Sequence, residues 1–70
     1  MPFLKEVSYP EMVPHLAEAM EDPEELVRSH AAWALGQLGG AGARRALEAS
    51  LTRESGARAT GEIRTALART

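Results

Sequence analysis

Asp22 and Arg28 carry opposite charges six residues apart, with a Pro-Glu-Glu run between them. A carboxylate and a guanidinium at that spacing across a turn make either an acid–base or anion site, or a structural salt bridge or turn hydrogen bond, local or to a neighbouring unit. The structural role is favoured, because Asp22 is already suited to cap the helix that follows. His15 and His30 are the only imidazoles, and neither stands in an H-x-x-x-H or H-E-x-x-H spacing. No helix face then presents two ring nitrogens together, so no metal site is expected. His30 falls four residues after Leu26 and three before Trp33. Those three form a second stripe on their helix, where a packed, hydrogen-bonded histidine is expected and a contact in a partner or RNA surface is the alternative. Trp33, the single tryptophan, either packs between helical units or anchors a binding surface, where tryptophan is enriched.

The run Gly39-Gly40-Ala41-Gly42-Ala43-Arg44-Arg45 offers glycines and two cations at a helix start, which suits a phosphate. It has no preceding strand and no Gly-Lys-Ser/Thr, so it is neither a dinucleotide nor a P-loop fingerprint. A helix C-cap followed by a loop accounts for the glycines. Charge is unevenly spread. Residues 1–35 hold seven acids against Lys5 and Arg28, a balance of -5, while residues 36–70 hold six arginines against three glutamates, +3. The positive half suits an RNA backbone, the acidic half of a second copy, or plain solvated surface. The net charge of -2 argues against a strong autonomous nucleic-acid binder. No acid–base pair, metal set or cofactor motif can be assembled, so a non-catalytic protein without a cofactor is expected.

These side chains must be positioned by helices. Thirteen of the 70 residues are Ala and eight are Leu, against one Ile, one Phe, one Trp, one Tyr and three Val, which leaves too few β-branched and aromatic residues for a sheet. The length allows one domain, and the absence of cysteine excludes a disulfide scaffold, an iron–sulfur cluster and a zinc ribbon. No apolar run reaches the roughly 20 residues that span a bilayer, and the N-terminus lacks the layout of a secretory signal. A cytoplasmic protein without a membrane partner is the expectation.

Caps and breakers set the boundaries. Ser8-Tyr9-Pro10-Glu11 has capping-box spacing and predicts a helix from Pro10 or Glu11 to Glu21, with Pro14 in its first turn. Asp22 as N-cap, Pro23 at the first helical position and two glutamates predict a second helix to Leu38, closed by Gly39-Gly40. A third helix is predicted over 41–53 and a fourth over 57–68, the break between them at Glu54-Ser55-Gly56. The halves repeat. Met12, Leu16 and Met20 are matched 31 residues later by Ala43, Leu47 and Leu51. Val27, Ala31, Ala34 and Leu35 are matched 32 residues later by Ala59, Ile63, Ala66 and Leu67, and Asp22 corresponds to Glu54. A helix pair repeated at this period is the signature of an α-solenoid, in which each pair has an apolar stripe it cannot cover alone. The expected fold is all-α: one domain of two helical hairpins, at about 9–39 and about 40–68, behind a short N-terminal lead.

The stretch from Glu21 to Gly39, with Asp22 at the turn and Val27-Arg28 after it, resembles a HEAT-like repeat of the short type found in phycobilin lyases. The string Val27-Arg28-x-His30-Ala31-Ala32-Trp33-Ala34-Leu35-Gly36, with Glu62-Ile63-x-x-Ala66-Leu67, is similar to the C-terminal HEAT-like region of the epoxyqueuosine reductases. That family's chemistry belongs to an upstream domain holding cobalamin and two iron–sulfur clusters through cysteines, which this sequence lacks. The chain is then a fragment, a truncated relative or a stand-alone repeat protein. Thr60 stands opposite Arg28 in the second unit, which reads as a C-terminal cap. The resemblance implies an accessory role in holding tRNA against a catalytic domain, with Arg44, Arg45, Arg58 and Arg64 as candidate contacts. The alternative is a stand-alone protein-interaction or homo-oligomeric scaffold centred on Trp33 or the N-terminal apolar residues. Two helix pairs are fewer than the three or so usually needed, so the open faces are expected to meet the lead residues Phe3, Leu4 and Val7, a second copy or a missing upstream domain.

Overall fold

The computed structural model describes residues 9–70, which form four helices: α1 (Tyr9–Ala19), α2 (Glu25–Leu38), α3 (Gly40–Leu51) and α4 (Ala57–Arg69). No strand occurs among the described residues. The expected lead of Phe3, Leu4 and Val7, and the Ser8 cap, lie outside them.

The helices stand as two hairpins in two layers. α1 packs on α3 and α2 on α4, and each odd-numbered helix packs on the even one that follows it, while α1 and α4 do not touch. The α2–α4 seam is the most extensive. The core joins Met20, Ala31, Ala32, Leu35, Ala43, Leu47, Ile63 and Ala66, flanked by half-buried Val13, Leu16, Leu51 and Leu67. Only four of those buried side chains are larger than alanine, so close helix approach takes the place of bulk. At Gly36 a β-carbon would lie 2.7 Å from Cβ of Ala66, so the two helices meet there backbone to side chain.

Several boundaries differ from expectation. α1 ends at Ala19 rather than Glu21, because the last turn tightens: Glu21 N–H donates to Glu18 O (2.9 Å) and Asp22 N–H to Ala19 O (3.1 Å). Pro14 lies in the body of α1, not its first turn, so the carbonyl four residues earlier lacks its helical donor. Asp22 is not the N-cap of α2. Its Oδ1 accepts the Glu24 N–H at 2.8 Å and holds the turn, while Glu24, in extended backbone (φ -85, ψ 120), occupies the cap without a side-chain bond. α3 begins at Gly40 and stops at Leu51, not Arg53, and α4 runs one residue beyond Ala68.

The loop expected after α2 shrinks to Gly39, which is both C-cap of α2 and N-cap of α3. Its φ of 69 and ψ of -168 suit a residue without Cβ, and its N–H donates to Leu35 O at 3.0 Å.

The buried face of α2 is also rotated from the predicted stripe. Ala31 and Leu35 are buried as expected, but Ser29, Ala32 and Gly36 join them and Val27 is 39% exposed. Small residues were chosen for the α4 seam, and a count of apolar positions does not register that choice.

Candidate functional site

Where the two inter-helix turns come together, an interlocked set of charges ties the hairpins. Arg28 donates from Nε to Glu54 Oε1 (2.9 Å), from Nη2 to Glu54 Oε2 (2.9 Å) and from Nη1 to the Asp22 carbonyl (2.7 Å). Every guanidinium nitrogen is thereby engaged. Asp22 and Arg28 do meet, through the backbone oxygen rather than the carboxylate, and the ionic partner of Arg28 is the residue one repeat later. The Glu54 side chain is only 3% exposed, and its Oε2 also accepts the Gly56 N–H at 2.9 Å. The Arg28 hydrogen bond lowers the Glu54 carboxyl pKa below its usual range, against the opposing effect of burial, with the Gly56 N–H assisting. The same bond raises the guanidinium further. A cleft of about 390 Å³ beside this set is lined by Glu21, Asp22, Arg53 and Glu54 among others.

Glu25 makes the second tie. Its Oε2 accepts from Arg58 N–H (3.0 Å) and Ala59 N–H (3.1 Å), the free donors in the first turn of α4. The N-cap of α4 is Gly56, and the space its side chain would fill holds the Glu25 carboxylate. A residue 33 positions away thus does the work of a local cap.

The remaining candidates are dispersed. Arg44 and Arg45 are exposed on α3, in one layer; Arg58 and Arg64 are exposed on α4, in the other. Arg44 pairs along its own helix with Glu48 at 3.4 Å. The depression of about 400 Å³ at the start of α3 is lined by Val13, Leu38, Ala41, Ala43 and the glycines, and includes neither Arg44 nor Arg45. The expectation of a packed His30 is corrected: His30 is exposed, and with it Leu26 (50%) and Trp33 (53%). They lie on the side of α2 turned away from the buried Ala31 and Leu35. Among the described residues no group of His, Asp or Glu is arranged to hold a metal ion.

The sequence reading missed the reach of Glu25 and the ionic role of Glu54. The offset that aligned Asp22 with Glu54 marked the latter's position; nothing local marks the former.

Two stacked helical hairpins with the second and fourth helices side by side define an α-solenoid. A family described as HEAT repeats matches residues 3–68, and the chain belongs to it. HEAT repeats generally mediate protein interactions. No curated protein and no solved structure matches the chain. None of the helices among the described residues is long and apolar enough to cross a membrane.

Proposed function

We propose that this chain is a non-catalytic docking module that binds another protein through the outer face of α2. The observation that carries the reading is the stripe Leu26-His30-Trp33, at i, i+4 and i+7, exposed on α2 away from its buried Ala31, Ala32 and Leu35. A half-exposed tryptophan is of the residue type enriched at binding hot spots, and the half-exposed leucine beside it widens the apolar patch. The ionic ties at the turns serve to hold that face in place.

The test is a photo-crosslinking residue at position 33, introduced in the producing cell. The expected result is a discrete protein adduct that disappears in a Leu26→Glu background. No adduct, or an equal yield from position 45 on α3, overturns the reading.

A second reading extends the epoxyqueuosine reductase resemblance: the module steadies tRNA for an upstream catalytic domain. One observation favours it, the exposure of Arg44, Arg45, Arg58 and Arg64 to solvent. Their division between two layers supports a diffuse rather than a focused contact. Titration with tRNA at two salt concentrations tests it. Salt-sensitive binding weakened by Arg44→Ala/Arg45→Ala supports the reading, and salt-independent or absent binding ends it.

A further inference from the structure

We propose that the partner segment recognised by the α2 face is acidic: a helix carrying carboxylates beside an apolar anchor. This rests on the docking reading above and names the chemistry of its occupant. Glu25 at the start of α4 and Gly36 against Ala66 show that α2 and α4 run in the same direction, side by side, about one repeat apart in sequence. The positions of α4 equivalent to Leu26, His30, Trp33 and Gln37 are therefore Arg58, Glu62, Thr65 and Arg69. Neither row includes a buried residue of its helix, and the two rows run side by side. Arg58, Thr65 and Arg69 are exposed and Glu62 is half-buried.

The two rows differ in kind. The α2 row carries the apolar Leu26 and Trp33 and no formal charge beyond His30, and the α4 row has a cation at each end. Neither Arg58 nor Arg69 forms an ion pair among the described residues. They stand eleven positions apart on the helix, about 16 Å at 1.5 Å per residue. A partner helix lying along the two rows would seat an apolar side chain against Leu26 and Trp33 and bring its own carboxylates to the two guanidinium groups. A basic partner would meet both cations and gain nothing from Glu62 at the centre that the flanking charges do not cancel.

Trp33, the only tryptophan, reports occupancy through its own emission. The probes are two synthetic peptides of about 18 residues with one Leu/Ala helical pattern, the polar positions filled with Glu in one and Lys in the other. The expected result is a saturable Trp33 emission shift with the Glu peptide and none with the Lys peptide. Affinity for the Glu peptide is expected to fall about tenfold in Arg58→Glu/Arg69→Glu, and to fall again between about 50 and about 500 mM salt. Equal response to the Lys peptide, unchanged affinity in the double variant, or no response to either peptide overturns the proposal. If the position 33 crosslink persists in that case, only the charge preference is lost; if it also fails, the docking face itself is wrong.

Discussion

Glu54 holds Arg28 with both carboxylate oxygens across 26 residues of sequence, so the turn of the second hairpin is bolted to the second helix of the first. The same guanidinium binds the Asp22 carbonyl, which extends the tie into the first hairpin's own turn. The contact is between units rather than within one, and it ties the two hairpins together.

Acid should loosen that tie. The Glu54 carboxyl is held below its ordinary value of 4.5 in the folded chain. Its contribution is therefore complete above that value and lost as pH falls through the depressed folded one. Thermal unfolding followed by circular dichroism should show stability dropping as pH falls below about 4.5, with a shallower acid limb and a lower starting stability in Glu54→Gln. An Arg44→Ala variant, which removes an exposed i, i+4 pair, should change stability by no more than about 0.5 kcal/mol. Equal losses in the two variants would contradict the geometry.

Glu25→Ala should uncap α4 at a distance. The loss expected for a missing N-terminal acceptor is about 1 kcal/mol, read as a lower urea midpoint with unchanged slope. Gly56→Ser alone should bring no gain, because the new side chain meets the Glu25 carboxylate. In the Glu25→Ala background the same serine should recover most of the loss by capping locally. Additive effects of the two substitutions would exclude the shared site.

Two glycines inside helices should respond in opposite directions. Gly61 faces open space, so Gly61→Ala is expected to stabilise by about 1 kcal/mol from helix propensity. Gly36→Ala gains the same propensity but drives a methyl into Ala66, and overpacking of about 1–3 kcal/mol should leave it less stable than wild type. Melting curves of the two variants decide the matter by sign alone.

Ser29 is buried in the seam side of α2, and its Oγ has no hydrogen-bond partner. Ser29→Ala removes an unsatisfied hydroxyl and should raise stability by about 1 kcal/mol. A loss of stability in chemical denaturation would show that the hydroxyl is satisfied after all.

Much of this architecture could be read from the sequence. Pro23, Gly39 and Gly56 punctuate the helices in the chain as they do in the fold, and the offset pairing Ala31 with Ile63 and Leu35 with Leu67 located both hairpins. The misses have a common cause. Helix spacing marks which residues share a face, but not which neighbour that face meets. Val27 and His30 stand on the predicted stripes and are exposed, because the α2–α4 seam selected Ala32 and Gly36 for closeness rather than bulk. Pro14 shows the same gap at the level of the backbone: a first-turn rule misplaces it once α1 starts at Tyr9. The reach of Glu25 to Arg58 and Ala59 depends on tertiary register, which no short window contains.

Gly39 alone connects α2 to α3, and the Glu25 and Glu54 ties clamp the opposite ends of those helices. A sheet of paper pinned at one corner swings; pinned at two, it keeps its curve. With both ends of α2 tied in this way the inclination between the hairpins has little room to vary, and a molecule docking on that helix would surrender little motional freedom on contact.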